Sequence, residues 1–196
     1  MEKNNSSEGM DLPWGSEWSK KFVTNVGLIT SSDGAEDNIM SSEWTHHVSY
    51  SPGIIAVCIK KTNTTHDNIL KTKEFGVSLA SQDQNILAYV AGTNSGKDLN
   101  KISVLKEPGF KFFKAEKINA LLVEGASLHL ECKVWKSIEL PERTIFLGLV
   151  VERHSVPDKT SLIYHSNKFW KFGQEIEKPS EQEMKKINEA VEKNKK

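Results

Sequence analysis

The residues of this chain with chemical potential are small polar groups gathered at turns and helix starts. Asn38, Met40, Ser41 and Ser42 follow one turn, and Ser49, Tyr50 and Ser51 precede another. Thr64 and Thr65 open a predicted helix, whose first N–H groups have no intrahelical partner and attract anions. Ser95-Gly96-Lys97-Asp98 offers a glycine-based concavity of N–H groups, with Lys97 adding charge and Lys101 following one turn later. Two anion sites beside a strand edge rich in hydroxyls and amides suit a ligand with a phosphate tail and a flat polar ring. Hydroxyls at helix starts commonly do no more than cap, and the pattern by itself leaves both readings open.

Other chemistries fail on spacing. Gly92 to Asp98 approaches a P-loop but is one residue short between its glycines and has Asp where the magnesium-binding hydroxyl belongs. No GxGxxG follows a strand pattern, and HExxH and GxSxG are missing. His46 and His47 would point to opposite faces of a strand, which is poor geometry for a shared metal. His129 and Glu131 share a strand face and read as a cross-strand polar pair, so neither a catalytic residue nor a metal site is expected. Cys58 and Cys132 fit no CxxC pattern, and Cys132 alternates into the core. A reducing cytoplasm is the expected compartment.

Charge narrows the partners. Lys+Arg and Asp+Glu both total 26, a net charge of zero, which argues against nucleic acid. No run approaches the roughly 18 apolar residues of a membrane span, and Met1 to Met10 is polar without a signal-peptide core. Only Arg143 and Arg153 are arginines, so a phosphate site relies on backbone N–H groups, hydroxyls and lysines unless one of them reaches it.

These groups must be held by short elements. Apolar strand patterns run over Val26–Thr30, Asn38–Ser42, Trp44–Tyr50, Ile54–Ile59, Phe75–Ala80, Leu128–Trp135, Ile145–Val151 and Leu162–His165. Ser31-Ser32-Asp33-Gly34 and Ser51-Pro52-Gly53 are turns between them. Thr64-Thr65-His66-Asp67 and Ser81-Gln82-Asp83-Gln84 read as capping boxes of two short helices, the second closed by Gly92. Ser180-Glu181-Gln182-Glu183 caps a C-terminal helix that packs by one stripe, Met184, Ile187, Ala190 and Val191. The expected fold is mainly β, a β-barrel with a few helices: a mobile N-terminus over 1–15, one domain over 16–173, and a helical tail over 174–196.

In this order the segments are similar to the flavin reductase-like family. They are Val26-Gly27-Leu28-Ile29-Thr30, Asn38 to Trp44, Val48 to Pro52, Thr65-His66, Phe75 to Leu79, Ser95 to Asp98 with Lys101, His129 to Cys132, and Tyr164-His165 with Phe169-Trp170. Within that family the chain looks most like the flavoredoxin branch. The resemblance implies an FMN-binding split barrel of Greek-key topology, a homodimer, and non-covalent FMN near the subunit interface. It implies Asn38, Met40, Ser41 and Ser42 along the isoalloxazine ring, and Ser49, Tyr50, Ser51 and Pro52 as the next wall. Thr65 and His66 would approach the ribityl phosphate with Ser95, Gly96 and Lys97, and Trp170 would close over the ring from this chain or its partner. NAD(P)H would be a transient substrate, and a redox protein or free flavin the electron acceptor. The alternatives are a flavoredoxin-type carrier with little NAD(P)H activity and a flavin-free binding module. Family members often carry Arg before the Thr-His pair, where this chain has Thr62-Asn63-Thr64.

Overall fold

The computed structural model describes residues 10–195, so the first nine residues of the expected mobile N-terminus lie outside the described residues. In chain order the strands are β1 (Val23–Asn25), β2 (Gly27–Ser32), β3 (Asp37–Ser42), β4 (Thr45–Tyr50), β5 (Gly53–Lys60), β6 (Glu74–Leu79), β7 (Phe112–Lys114), β8 (Leu121–Val123), β9 (Leu128–Glu139), β10 (Arg143–Ser155), β11 (Ile163–His165) and β12 (Lys168–Trp170). The helices are α1 (Thr64–Thr72), α2 (Asn85–Thr93), α3 (Lys101–Lys106) and α4 (Glu181–Lys193).

Seven strands form one antiparallel sheet in the order β3-β2-β6-β9-β10-β5-β4. β3 and β4 follow one another in sequence yet occupy its two ends, so the sheet must curl until those ends approach. Between them the Trp44 carbonyl accepts the Cys58 N–H at 3.0 Å, which ties the β3–β4 link to β5. The result is a split barrel, flanked by a small β1-β11-β12 sheet and a β7–β8 hairpin.

Two apolar clusters fill the fold, one on each face of β2. Ile29 looks into the barrel with Val57, Ile59, Ile69, Phe75, Val77 and Phe146. Leu28 looks outward onto Leu87, Ala88 and Ala91 of α2 and Ile102 and Leu105 of α3. All six residues of β2 are buried, because the strand is covered on both faces. Each fully buried Phe or Ile contributes roughly 1.5–3 kcal/mol. Gly148 lies opposite Phe75, and a Cβ there would run into the Phe75 ring. That close approach coincides with the register shift between Leu147 and Gly148, where β10 bends to close the barrel.

The structure corrects several local expectations. α1 is capped by Asn63, not by a Thr64–Asp67 box, and Asn63 makes no side-chain cap bond. α2 starts at Asn85 with Gln84 as its cap. The Gln84 side chain still reaches back to the Ser81 N–H at 3.1 Å, half of the expected box. Gly92 lies inside the last turn of α2, facing Ser41, and not beyond it as a cap. On β9 the alternation is broken, since His129 and Glu131 are buried along with Leu130 and Cys132. The unforeseen β7–β8 segment causes this by covering the second face of the strand, and Glu131 takes the N–H groups of Glu116 and Lys117 at 2.8 and 2.6 Å. α4 has its full capping box, but Met184, Ile187 and Val191 remain exposed, and none of the helix's described residues is buried. Among the described residues no helix is long and apolar enough to cross a membrane.

Candidate functional site

The site is built where β3 passes the start of α1 and the end of α2. The N–H groups of Thr64 and Thr65 have no hydrogen-bond partner among the described residues, because Asn63 does not cap them and the helix ladder starts at His66. Thr64 Oγ1 is buried and also unpartnered. Thr65 Oγ1 accepts from Asn38 Nδ2 at 2.7 Å, which locks β3 to α1. Across from them Gly96 passes so close that a Cβ would collide with Asn38 Oδ1 and lie 3.0 Å from Thr64 Oγ1. These groups surround a hollow of about 100 Å³, completed by Ser95 and Lys101. A cluster of unmet donors in a hollow that glycine keeps open has the size and character of a phosphate cradle.

Lys101 supplies the positive charge. It sits at the start of α3 and is 4% exposed. Its ammonium donates to the carbonyls of Ala91 and Asn94 at 3.2 and 3.1 Å, where the C-terminal end of the α2 dipole favours a cation. Burial pulls its pKa down to about 8, so an anion in the cradle would restore the lost stabilisation of its charge. Lys97 does not line the hollow. Its exposed ammonium points outward to Asp67, 3.9 Å away, because the turn through Gly96 turns that side chain to solvent.

Past Met40, Ser41 and Gly92 the cradle runs into a cleft of about 450 Å³. One side is β3 through Met40, Ser41 and Ser42, and the other is α2 through Ala88, Tyr89 and Gly92. Ser41 Oγ donates to the Ala88 carbonyl at 2.6 Å, holding the two sides together. Trp44, Cys58, Arg143, Tyr164 and Phe169 close the far end. Burial raises the pKa of the Cys58 thiol, which keeps it protonated and leaves it a poor nucleophile. Glu43 is likewise raised by burial, with Arg143 opposing the shift. Among the described residues, no nucleophile stands beside a base in the cleft.

The structure gathers Asn38, Met40, Ser41, Thr65, Ser95 and Gly96 around the cradle and Ser42 along the cleft. Asn38 lies at the cradle end rather than beside the ring cleft. His66 is turned the other way, since it follows Thr65 by about 100° around α1. Its Nε2 is 2.9 Å from Thr144 Oγ1, and its ring packs beside Phe146 in the barrel. Ser49, Tyr50, Ser51 and Pro52 lie on the outward β4–β5 hairpin and line neither hollow, with Tyr50 87% exposed. Trp170 also lines neither. Its indole N–H donates to the His165 carbonyl at 2.9 Å, which folds it onto its own hairpin. Sequence reading put Thr64 and Lys101 beside the anion sites without naming them as ligands, left Arg143 as an open option for a phosphate, and assigned no site role to Tyr89 or Trp14. A lysine one turn beyond a Ser-Gly concavity was the available signal for Lys101.

The architecture is a split barrel with a small donor-lined cradle that opens into a cleft between β3 and α2. The chain belongs to the flavin reductase like domain family, whose model matches residues 19–173. An NADH-dependent FAD reductase of Streptomyces globisporus is 27% identical over 157 residues, 77% of this chain and 80% of that protein. The structure of a Streptomyces globisporus NADH:FAD oxidoreductase shares 25% identity with a TM-score of 0.71, over 78% of this chain and 88% of that one. Flavoredoxin from Methanosarcina acetivorans, at 20% identity, has the same fold with a TM-score of 0.72 over 89% and 97% of the two chains. The chain is therefore a flavin reductase-like oxidoreductase domain.

Proposed function

We propose that the protein binds FMN non-covalently and uses it to pass hydride equivalents from NAD(P)H to an acceptor, either free flavin or a redox protein. The single observation that carries this reading is the buried, unpartnered Thr64 hydroxyl, facing a glycine-walled cradle that leads directly into the flat cleft. A buried hydroxyl without a partner is costly, and a phosphate oxygen is the partner it lacks.

The residues present fit the group. Thr64 Oγ1, the N–H groups of Thr64, Thr65, Ser95 and Gly96, and the Lys101 ammonium would hold the phosphate. Met40 and Ser42 on β3 and Ala88 and Gly92 on α2 would flank the ring. FMN is favoured over FAD because the hollow beside the cradle is only about 40 Å³ and is bordered by Asp33, Glu36 and Asp37. That border gives no room for an adenosine and repels a second phosphate. A bound flavin supplies a ring that accepts a hydride and gives its electrons onward.

The chain's own part is binding, orientation and exclusion of water. Backbone N–H groups along β3 and the Ser42 hydroxyl face the cleft as fixed dipoles, which favour negative charge developing on a ring held there. The Ser41 hydroxyl is committed to Ala88 and acts as a brace. Tyr89, 62% exposed at the cleft edge, leaves one ring face open to a second reactant.

The working form we propose is a homodimer. Ser49, Tyr50, Ser51 and Pro52 can reach a ring only across an interface, and Trp135 and Ile138 on β9, with Leu140 just past its end, leave an apolar stretch exposed in the single chain. The test is anaerobic mixing of FMN-loaded protein with NADH or NADPH. Bleaching of the flavin absorbance supports the reductase. FMN that binds but is not bleached supports a flavoredoxin-type carrier, and protein that ignores FMN refutes the reading.

A further inference from the structure

Beyond Trp14, Trp44 and Arg143 the ring cleft opens into a second hollow of about 660 Å³. Its outer wall is the N-terminal arm over 11–15, which precedes the residues that the family model matches. Arg143 stands where the two hollows meet. Its guanidinium carbon lies 4.4 Å over the Trp44 ring, which sets the plane of the fork. Its Nε is buried without a hydrogen-bond partner. The nearest carboxylate oxygen, Glu142 Oε1, is 3.6 Å away, beyond hydrogen-bond distance. Arg143 is thus oriented but not saturated, the state of a group that waits for an anion.

The charge around it defines what can enter. Lys20 and Arg143 are opposed in the groove by Asp11, Glu43 and Glu142. A compact polyanion gains nothing from such a mixture. A ligand with two bridged phosphates between flat rings does, because it can place its charge on the Arg143 fork and its rings on Trp14 and Trp44. The groove and cleft are continuous, so one such ligand can span both. The chain has no Gly-rich dinucleotide turn that would hold it elsewhere.

We infer that this groove anchors the hydride donor, with the pyrophosphate of a pyridine dinucleotide on Arg143, a flat ring against Trp14, and the nicotinamide end entering the cleft. Arg143 and the N-terminal arm are then specificity-determining, and the arm lies outside the family match. The inference rests on the flavin reading above for the direction of the nicotinamide end.

The test is calorimetric titration with NAD⁺, which does not react with oxidised flavin, run beside an FMN titration of the same samples. The samples are the wild type, Arg143→Gln, Arg143→Lys and Trp14→Ala, each checked for an unchanged thermal midpoint. Arg143→Gln is expected to weaken NAD⁺ by about tenfold or more, the worth of one charge-assisted contact. Trp14→Ala should weaken it several-fold, Arg143→Lys should recover part of the loss, and in each variant NAD⁺ affinity should fall by a larger factor than FMN affinity. Unchanged NAD⁺ affinity in Arg143→Gln overturns the inference while leaving the flavin reading intact. Loss of FMN binding with NAD⁺ unaffected overturns it too, by moving Arg143 to the flavin. If the wild type binds no FMN, the flavin reading fails on its own. The NAD⁺ titration still decides the groove: binding lost in Arg143→Gln supports it, and absence of binding in the wild type overturns it.

Discussion

Two hollows on different parts of the barrel, the β3–α2 cleft and the hollow under the β7–β8 hairpin, treat their polar groups in opposite ways. The cleft between β3 and α2 ends in a cradle whose donors are unmet: Thr64 Oγ1 is orphaned, and the first N–H groups of α1 have no partner among the described residues. The hollow of about 560 Å³ under the β7–β8 hairpin holds more ionisable side chains, including His129, Glu131, Glu152 and His154. Yet its buried members are satisfied from within. Glu131 takes two backbone N–H groups, and His129 Nδ1 lies 3.2 Å from Ser78 Oγ, which itself accepts the Val123 N–H at 3.1 Å. Burial and the neighbouring His154 hold the His129 pKa down, so it stays neutral and structural. Ionisable residues in a hollow do not by themselves mark a site. Unspent hydrogen-bonding capacity does.

Substitutions can break that contrast. The largest effect is expected from Gly96→Ala, whose Cβ would enter the space of Asn38 and Thr64 and fill the cradle. FMN affinity should fall sharply because the added methyl takes the phosphate's space, and the thermal midpoint should fall modestly, since overpacking against buried Asn38 costs about 1–3 kcal/mol. Flavin titration and a melting curve on the same sample check both halves. In the other hollow the signs should reverse. Glu131→Gln keeps the shape but removes a charged acceptor from two N–H groups. It should cost about 1.5–3 kcal/mol of stability in urea unfolding and leave FMN affinity unchanged.

A smaller effect sharpens the role of Lys101. Its pKa is about 8 in the free protein, and a bound phosphate favours the protonated form, so binding raises that value. FMN affinity should therefore be level from about pH 6.5 to 7.5 and decline as pH rises through 8, by about 1.4 kcal/mol per unit at most. Folding carries the opposite sign. The unfolded chain binds the Lys101 proton more tightly, so the burial cost is present below pH 8 and is relieved between 8 and 10.5. Titrations at several pH values separate the two trends.

Much of this architecture was legible in the sequence. The apolar runs from Val26 to Tyr164 mark eight of the strands, because period-two patterning survives wherever one face meets the core. β1, β7, β8 and β12, at three residues each, carry too little pattern to be seen, and missing β7–β8 left His129 and Glu131 read as a cross-strand polar pair and not as buried groups. The cradle was legible as loop chemistry at Thr65 and Ser95-Gly96, since glycine and hydroxyl clusters speak for backbone geometry. Its cation was not. Lys97 is adjacent in sequence and points away, whereas Lys101 arrives through the fold of α3 beneath α2. His66 was misplaced for a related reason: one residue along a helix rotates a side chain from the cradle into the core. Arg143 and Trp14 meet only through tertiary packing, so nothing in their spacing announces them.

The phosphate cradle is decided most directly by titrating FMN and riboflavin, which differ only in that phosphate, against the wild type and Lys101→Met. Wild type should bind FMN more tightly than riboflavin by about 3 kcal/mol or more, from several N–H groups together with one ammonium. Lys101→Met should lose about 1.5–3 kcal/mol toward FMN and almost nothing toward riboflavin. Equal affinity of the wild type for the two flavins would contradict the assignment of Thr64, Gly96 and Lys101 as the grip on the cofactor.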